Sequence, residues 1–219
     1  MSKILIGTPF KDIATDNYIK SLADLIIYTQ AAGHEVEYVN EHGGLFDARD
    51  RICQRTMREH FDYMLQIDSD MTFPPWTFKR LSELMDTGKS LVSGLYFGRR
   101  PPFGPIVYKD LQLVADGGAF PKPVAEVCED FPEDTVFPAK AVGFGCVMLS
   151  VDLLKKVGAA YGTGFCPISG FGEDLSFCLR AGELGETVWV DSALKCGHAG
   201  MTIYTEDTWR AYRKRGEDA

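Results

Sequence analysis

Tyr63-Met64-Leu65-Gln66-Ile67 is a short apolar run that ends in Asp68-Ser69-Asp70 and, four residues later, in Pro74-Pro75. A run this short, bounded by polar turns, reads as a buried strand. Asp68 and Asp70 fall just past its end. In extended chain, residues two apart project to the same side, so both carboxylates converge at the rim of a sheet. A hard divalent cation suits that arrangement, because it binds carboxylate oxygen and leaves positions for phosphate oxygens and water. The plainer reading is that the aspartates cap the next helix and solvate a loop. An isolated Asp-x-Asp does not choose between the two.

The surrounding chain supplies a frame. Lys3 to Gly7 reads as a strand closed by Thr8-Pro9. A helix over 15–32 follows, with Ile19, Leu22, Ala23 and Ile26 as its apolar stripe and Gly33 ending it. Residues 34–39 alternate as a second strand, and 47–60 form a second helix. After Asp70, Pro74-Pro75 open a third helix to Met85, and 89–97 supply a fourth strand. This β-α-β rhythm predicts an α/β fold with a doubly wound, mostly parallel, Rossmann-like sheet. Ligands of such sheets sit at the carboxyl ends of the strands, where Thr8-Pro9 and Asp68-Ser69-Asp70 both lie. Residues 99–138 then hold seven of the eleven prolines. They read as a Pro-rich excursion of short strands and loops that covers or borders the site. Regular structure resumes with an apolar strand over 141–149 containing Gly143-Phe144-Gly145. A helix over 151–157, a Gly-rich loop over 161–172, a helix over 173–184 and a strand over 187–190 complete it. Residues 1–204 are expected to form one domain, with halves 1–98 and 99–204, followed by a C-terminal helical tail over 205–219.

Composition narrows the class. With 45% hydrophobic residues among 219, the chain can build a full core. A net charge of −8 argues against a dedicated nucleic-acid binder. The six cysteines are scattered without a Cys-x-x-Cys pair, which suggests reduced thiols and a cytoplasmic location. The first strand starts so near Met1 that no leader is expected. No apolar run approaches the roughly 18 residues that span a bilayer.

Four further places carry candidate chemistry. Arg49, near the start of the second helix, shares a face with Ile52, Cys53 and Thr56 and so points inward. It suits either recognition of an anion or an ion pair with a neighbouring aspartate. Glu173-Asp174 open a helix after Gly170-Phe171-Gly172. They serve the helix dipole, or one of them is a general base for an acceptor hydroxyl. His198 stands between glycines in Cys196-Gly197-His198, a poor zinc site with two ligands but a plausible partner for aspartate and diphosphate around manganese. Arg99-Arg100 and Arg210, Arg213, Lys214 and Arg215 are basic clusters, read first as solvated faces.

The order of these motifs, Thr8-Pro9, Asp47-Ala48-Arg49-Asp50, Tyr63 to Met71, Gly143-Phe144-Gly145-Cys146, Gly172-Glu173-Asp174-Leu175 and Gly197-His198, resembles a nucleotide-sugar-dependent glycosyltransferase of the GT-A fold, in the broad family-2-like group. It covers residues 3 to about 200. The resemblance implies that Thr8 and Pro9 border the nucleotide base and that Arg49 faces the nucleotide. Asp68, with Ser69 beside it, would hold the ribose or a metal-bound water. Asp70 would ligate Mn²⁺ or Mg²⁺, and His198 would complete the metal site. Asp174 would be the base of an inverting transfer and Glu173 an acceptor binder, with Gly143 and Gly145 in the sugar and acceptor pocket. Where that family more often carries Asn, this chain has Asp50.

The expected activity is metal-dependent transfer of a sugar, from a UDP-sugar by preference, to an acceptor hydroxyl on a glycan or a hydroxymethylated DNA base. Two alternatives stand. One is a catalytically silent protein that binds a nucleotide sugar or glycan. The other is a sugar nucleotidyltransferase, disfavoured because Thr8-Pro9-Phe10-Lys11 follows the first strand where a glycine-rich basic loop would be needed.

Overall fold

The computed structural model describes residues 1–10, 14–115, 117–118, 121–200 and 203–217, the last three by their backbone alone. Lys11, the side chain of Arg215 and the last two tail residues therefore lie outside the described residues.

The centre is a seven-stranded sheet in the order β2-β1-β3-β10-β5-β11-β8. Its strands are β1 (Lys3–Phe10), β2 (Glu35–His42), β3 (Tyr63–Ile67), β5 (Leu91–Leu95), β8 (Val136–Ala139), β10 (Cys146–Ser150) and β11 (Val188–Lys195). Five run parallel. β10 lies antiparallel between β3 and β5, and β8 is antiparallel to β11. Helices α1 (Asp16–Ala31), α2 (Leu45–Arg58), α3 (Thr77–Met85), α4 (Val151–Tyr161) and α5 (Glu173–Glu183) join and cover these strands. Two smaller sheets flank them. In one, β4 (Met71–Thr72), β12 (Gly197–Ala199) and β13 (Ile203–Tyr204) pair in the order β13-β12-β4. The other is built from β6 (Val107–Val114), β7 (Lys122–Val127) and β9 (Ala141–Val142). Helix α6 (Glu206–Glu217) follows β13.

Several expectations are corrected here. The apolar run over 141–149 is two strands in different sheets, broken at Gly143-Phe144-Gly145. β1 does not close at Thr8-Pro9 but runs to Phe10, paired with β2 through Phe10↔His42. Its pairing with β3 ends at Gly7↔Gln66. Pro9 thus sits where β1 has one neighbour, a place that tolerates proline within a strand. Helix α1 buries Tyr18, Leu25 and Thr29 and leaves Ile19 exposed, so its inward face is rotated from the expected stripe. Tyr18 takes the inward position because its hydroxyl meets Thr8 Oγ1 at 2.5 Å. Residues 99–138 contribute the β6–β7 hairpin and edge strand β8.

The core lies on both faces of the central sheet. Leu5, Met64, Val147 and Leu149 face Ile52, Leu153 and Phe177, while Ile4, Ile6, Leu65 and Met148 face Tyr18, Leu25, Phe78 and Leu81. All six cysteines are free, four of them buried. No helix among the described residues is long and apolar enough to cross a membrane.

Candidate active site

The carboxyl end of β3, the loop before β10 and the start of α5 meet around one arginine. Arg49 projects from the second turn of α2 and is 2% exposed. Its guanidinium donates to Asp68 Oδ1 at 2.9 Å, Glu173 Oε1 at 3.1 Å and Gln66 Oε1 at 2.7 Å, with the Phe144 carbonyl at 3.4 Å. Burial works against its charge, but Asp68, Glu173 and Asp174 outweigh that and hold it cationic. The same network leaves Asp68 with a raised proton affinity, since burial exceeds the pull of Arg49 and Asp70 repels it.

Asp174 is next to Glu173 but outside Arg49's fork. Its Oδ1 accepts from the Leu175 backbone N–H at 2.7 Å. Burial, then the neighbouring Glu173, pushes its pKa up to about 6, with Arg49 pulling the other way. A carboxylate poised there takes up and gives back a proton near neutral pH, which a general base requires.

Asp70 and His198 are brought together by register. β12 pairs with β4 so that His198 lies opposite Met71, and the Ala199 N–H donates to the Asp70 carbonyl at 2.6 Å. His198 Nε2 lies 3.6 Å from Asp70 Oδ1, too far for a hydrogen bond. His198 Nδ1 is 2.9 Å from the Phe97 carbonyl oxygen. A carbonyl only accepts, so Nδ1 carries a proton and Nε2 is the nitrogen turned toward Asp70. Among the described residues Asp70 Oδ1 is buried with no hydrogen-bond partner. Burial opposes the Asp70 charge, but His198 and Arg99 more than compensate and keep its proton affinity low. An imidazole fixed through its other nitrogen to a backbone carbonyl, beside a buried oxygen without a partner, fits one edge of a divalent-cation site. Among the described residues no group of three or more His, Cys, Asp or Glu gathers to hold a metal. The pair would therefore share the ion with water or ligand oxygens.

The other sequence candidates fall as follows. The Thr8 side chain is fully buried against Tyr18. Pro9 and Phe10 line a recess of about 200 Å³ with Gly43, Gly44, Leu45 and Ala48, an apolar slot at the end of β1. The Ser69 carbonyl accepts from Thr15 N. Gly143 and Gly145 pack on Tyr96. A Cβ on Gly145 would lie 2.8 Å from the Tyr96 ring and 3.1 Å from Met71 Sδ, and the Gly145 N–H donates to the Tyr96 hydroxyl at 3.2 Å. Gly145→Ala is accordingly expected to destabilise the fold by about 1–3 kcal/mol through overpacking, measured by urea denaturation; an unchanged midpoint would refute this. Two residues of the basic tail are engaged: Arg210 pairs with Glu206 and Glu133, and Arg213 with Glu129. A cavity of about 700 Å³ lies at the Thr72 and Gly197 face of the β4–β12 pair, also bordered by Lys195, Glu206 and Arg210. Strand alternation puts that face opposite the one bearing His198.

Three participants were not read from sequence. Gln66 is a polar residue inside an apolar strand, two before Asp68 and so on its face; that spacing was the available signal. Tyr96 looked like one more apolar strand residue. Arg99 was read as part of a solvated cluster, yet its Nη1 lies 2.8 Å from Asp70 Oδ2.

No protein-family model matches this chain, and no curated protein does. Solved structures do. A197 from STIV has a TM-score of 0.60 at 15% identity, covering 90% of this chain and 85% of that one. GalNAc-T7, solved with UDP, GalNAc and Mn²⁺, has a TM-score of 0.58 at 11% identity, covering 95% of this chain. The fold is GT-A-like. The chain matches only 44% of the GalNAc-T7 chain, so less than half of that protein is represented. A CMP:2-keto-3-deoxy-manno-octonic acid synthetase complexed with CTP is also similar, at a TM-score of 0.49 and 12% identity, too distant to argue from. At these identities the likeness establishes architecture, and function has to come from the site.

Proposed function

We propose that this chain is a divalent-metal-dependent glycosyltransferase. It moves a sugar from a nucleoside diphosphate sugar, UDP-sugar favoured, to an acceptor hydroxyl with inversion. The observation that carries this is Asp70 Oδ1, buried, without a hydrogen-bond partner among the described residues and facing His198 Nε2. Mn²⁺ or Mg²⁺ would be held by Asp70 and His198, with Asp68 beside them for the ribose or a metal-bound water. Such an ion supplies Lewis acidity toward charge on the departing diphosphate.

The protein's own residues do the rest. Pro9 and the recess it shares with Phe10 accept the base, with Thr8 fixing the strand from beneath and Ser69 in the turn. Arg49 holds Asp68, Glu173 and Gln66 in one arrangement, so its part is to position the site. Glu173 is engaged by Arg49 and contributes to the acceptor side through that contact. Asp174 takes the proton from the acceptor hydroxyl as its oxygen bonds the sugar carbon and the bond to diphosphate breaks. Holding both substrates in register is a large share of such catalysis. The β6–β7 hairpin borders the acceptor side, where Pro123 lies 3.2 Å from the Cβ position of Gly170.

Hydrolysis of the donor, assayed with Mn²⁺ and with chelator, tests this reading. Mn²⁺-dependent release of nucleoside diphosphate that disappears in Asp70→Ala is the expected result. Binding without any turnover would instead mark a silent sugar-nucleotide binder.

A further inference from the structure

Arg99 is a charged site residue that the reaction above leaves without a part. Its Nη1 lies 2.8 Å from Asp70 Oδ2 and 3.1 Å from the Ala199 carbonyl oxygen. Asp70 is therefore divided between two neighbours. One oxygen carries a guanidinium, and the other is buried, lacks a hydrogen bond among the described residues and faces His198 Nε2. The two arginines of the site differ in a way that matters. Arg49 is 2% exposed and tied to four acceptors, so it cannot leave without stranding buried charge. The Arg99 side chain is 44% exposed, so water can replace its contacts as it swings away.

We propose that Arg99 is a built-in competitor for the divalent cation at Asp70. Guanidinium and metal bind that carboxylate in exchange: loading the metal frees Arg99, and losing the metal returns it. This rests on the reading of Asp70 and His198 as the metal pair. With no metal bound, the 2.8 Å contact with Arg99 keeps the Asp70 carboxylate oriented, so the site stays assembled. With metal bound, the released guanidinium remains on the same rim, and its planar set of donors suits phosphate oxygens. Metal loading and exposure of an anion-binding arginine thereby become one non-covalent event.

The test is Mn²⁺ binding to the intact chain, read from the paramagnetic resonance signal of free Mn²⁺, for wild type, Arg99→Ala, Arg99→Lys and Arg100→Ala. Arg99→Ala is expected to bind Mn²⁺ about three- to tenfold more tightly, the range for removing a half-exposed ion pair with one further hydrogen bond. Arg99→Lys, which keeps a cation in reach, should stay close to wild type. Arg100→Ala removes the same charge one residue along, and a change under about twofold there separates displacement from screened long-range attraction. Binding by wild type that is unchanged or weakened in Arg99→Ala, or that tightens equally in Arg100→Ala, overturns the competition and leaves the metal pair standing. Absence of Mn²⁺ binding in both wild type and Arg99→Ala overturns the metal pair and the competition together.

Discussion

Replacing Arg49 with alanine is expected to cost the fold about 3–5 kcal/mol, the usual penalty for breaking a buried ion pair from one side. The reason is what stays behind. Asp68 and Glu173 lose the guanidinium that links them, and the Gln66 amide loses its partner at 2.7 Å. The loss is a large fraction of the roughly 5–15 kcal/mol that separates a typical folded domain from its unfolded chain. Urea denaturation reads it as a lower midpoint at constant slope. Arg49→Lys should fall between the two, since it keeps the charge but cannot span three acceptors. The penalty should shrink in acid, where Asp68, with its raised proton affinity, becomes neutral. A midpoint within about 1 kcal/mol of wild type would show that Arg49 does not organise the edge.

Asp174→Asn is expected to separate activity from stability. Loss of a general base costs about 10²–10⁴ in rate, and the wild-type rate should rise with pH through about 6 as Asp174 loses its proton. Stability moves the other way. The folded pKa of about 6 lies above the ordinary 3.8, so between those values the folded state binds more protons than the unfolded state. Stability attributable to Asp174 therefore falls as pH rises from about 4 to 6 and stays lower above. The asparagine variant escapes this. It should gain on the order of 1–2 kcal/mol over wild type at pH 8, after discounting for solvent reach, and nothing below about pH 4. Rate and denaturation profiles collected across pH 4–8 check both halves. A variant that keeps its rate, or is less stable at pH 8, would remove Asp174 from this role.

Much of this edge was legible in the chain because it depends on local pattern. The climb from Tyr63 to Ile67 into Asp68-Ser69-Asp70 places both carboxylates at a strand end, and the spacing of Arg49 with Ile52, Cys53 and Thr56 turns it inward. What pattern does not carry is direction and partner. β10 is fully apolar from Cys146 to Leu149, as any strand covered on both faces is, and nothing in that run says it enters antiparallel between β3 and β5. Gly143 and Gly145 signal a tight place without saying that Tyr96 fills it. The contacts of Arg99 with Asp70 and Ala199 bridge distant parts of the chain, beyond any periodicity. Asp68 and Asp70 also turn out unequal. Asp68 belongs to the Arg49 network, and Asp70 to His198 and Arg99.

That inequality is what the most direct measurement addresses. Calorimetric titration of wild type and Asp70→Ala with UDP-, GDP- and TDP-sugars, in Mn²⁺ and in chelator, reads donor, metal dependence and the key carboxylate together. The expected result is binding of a UDP-sugar in Mn²⁺ that falls at least about tenfold in chelator and again in Asp70→Ala, as loss of a metal ligand or its support does. Binding that is indifferent to Mn²⁺ and to Asp70, or no binding of any nucleotide sugar, would contradict it.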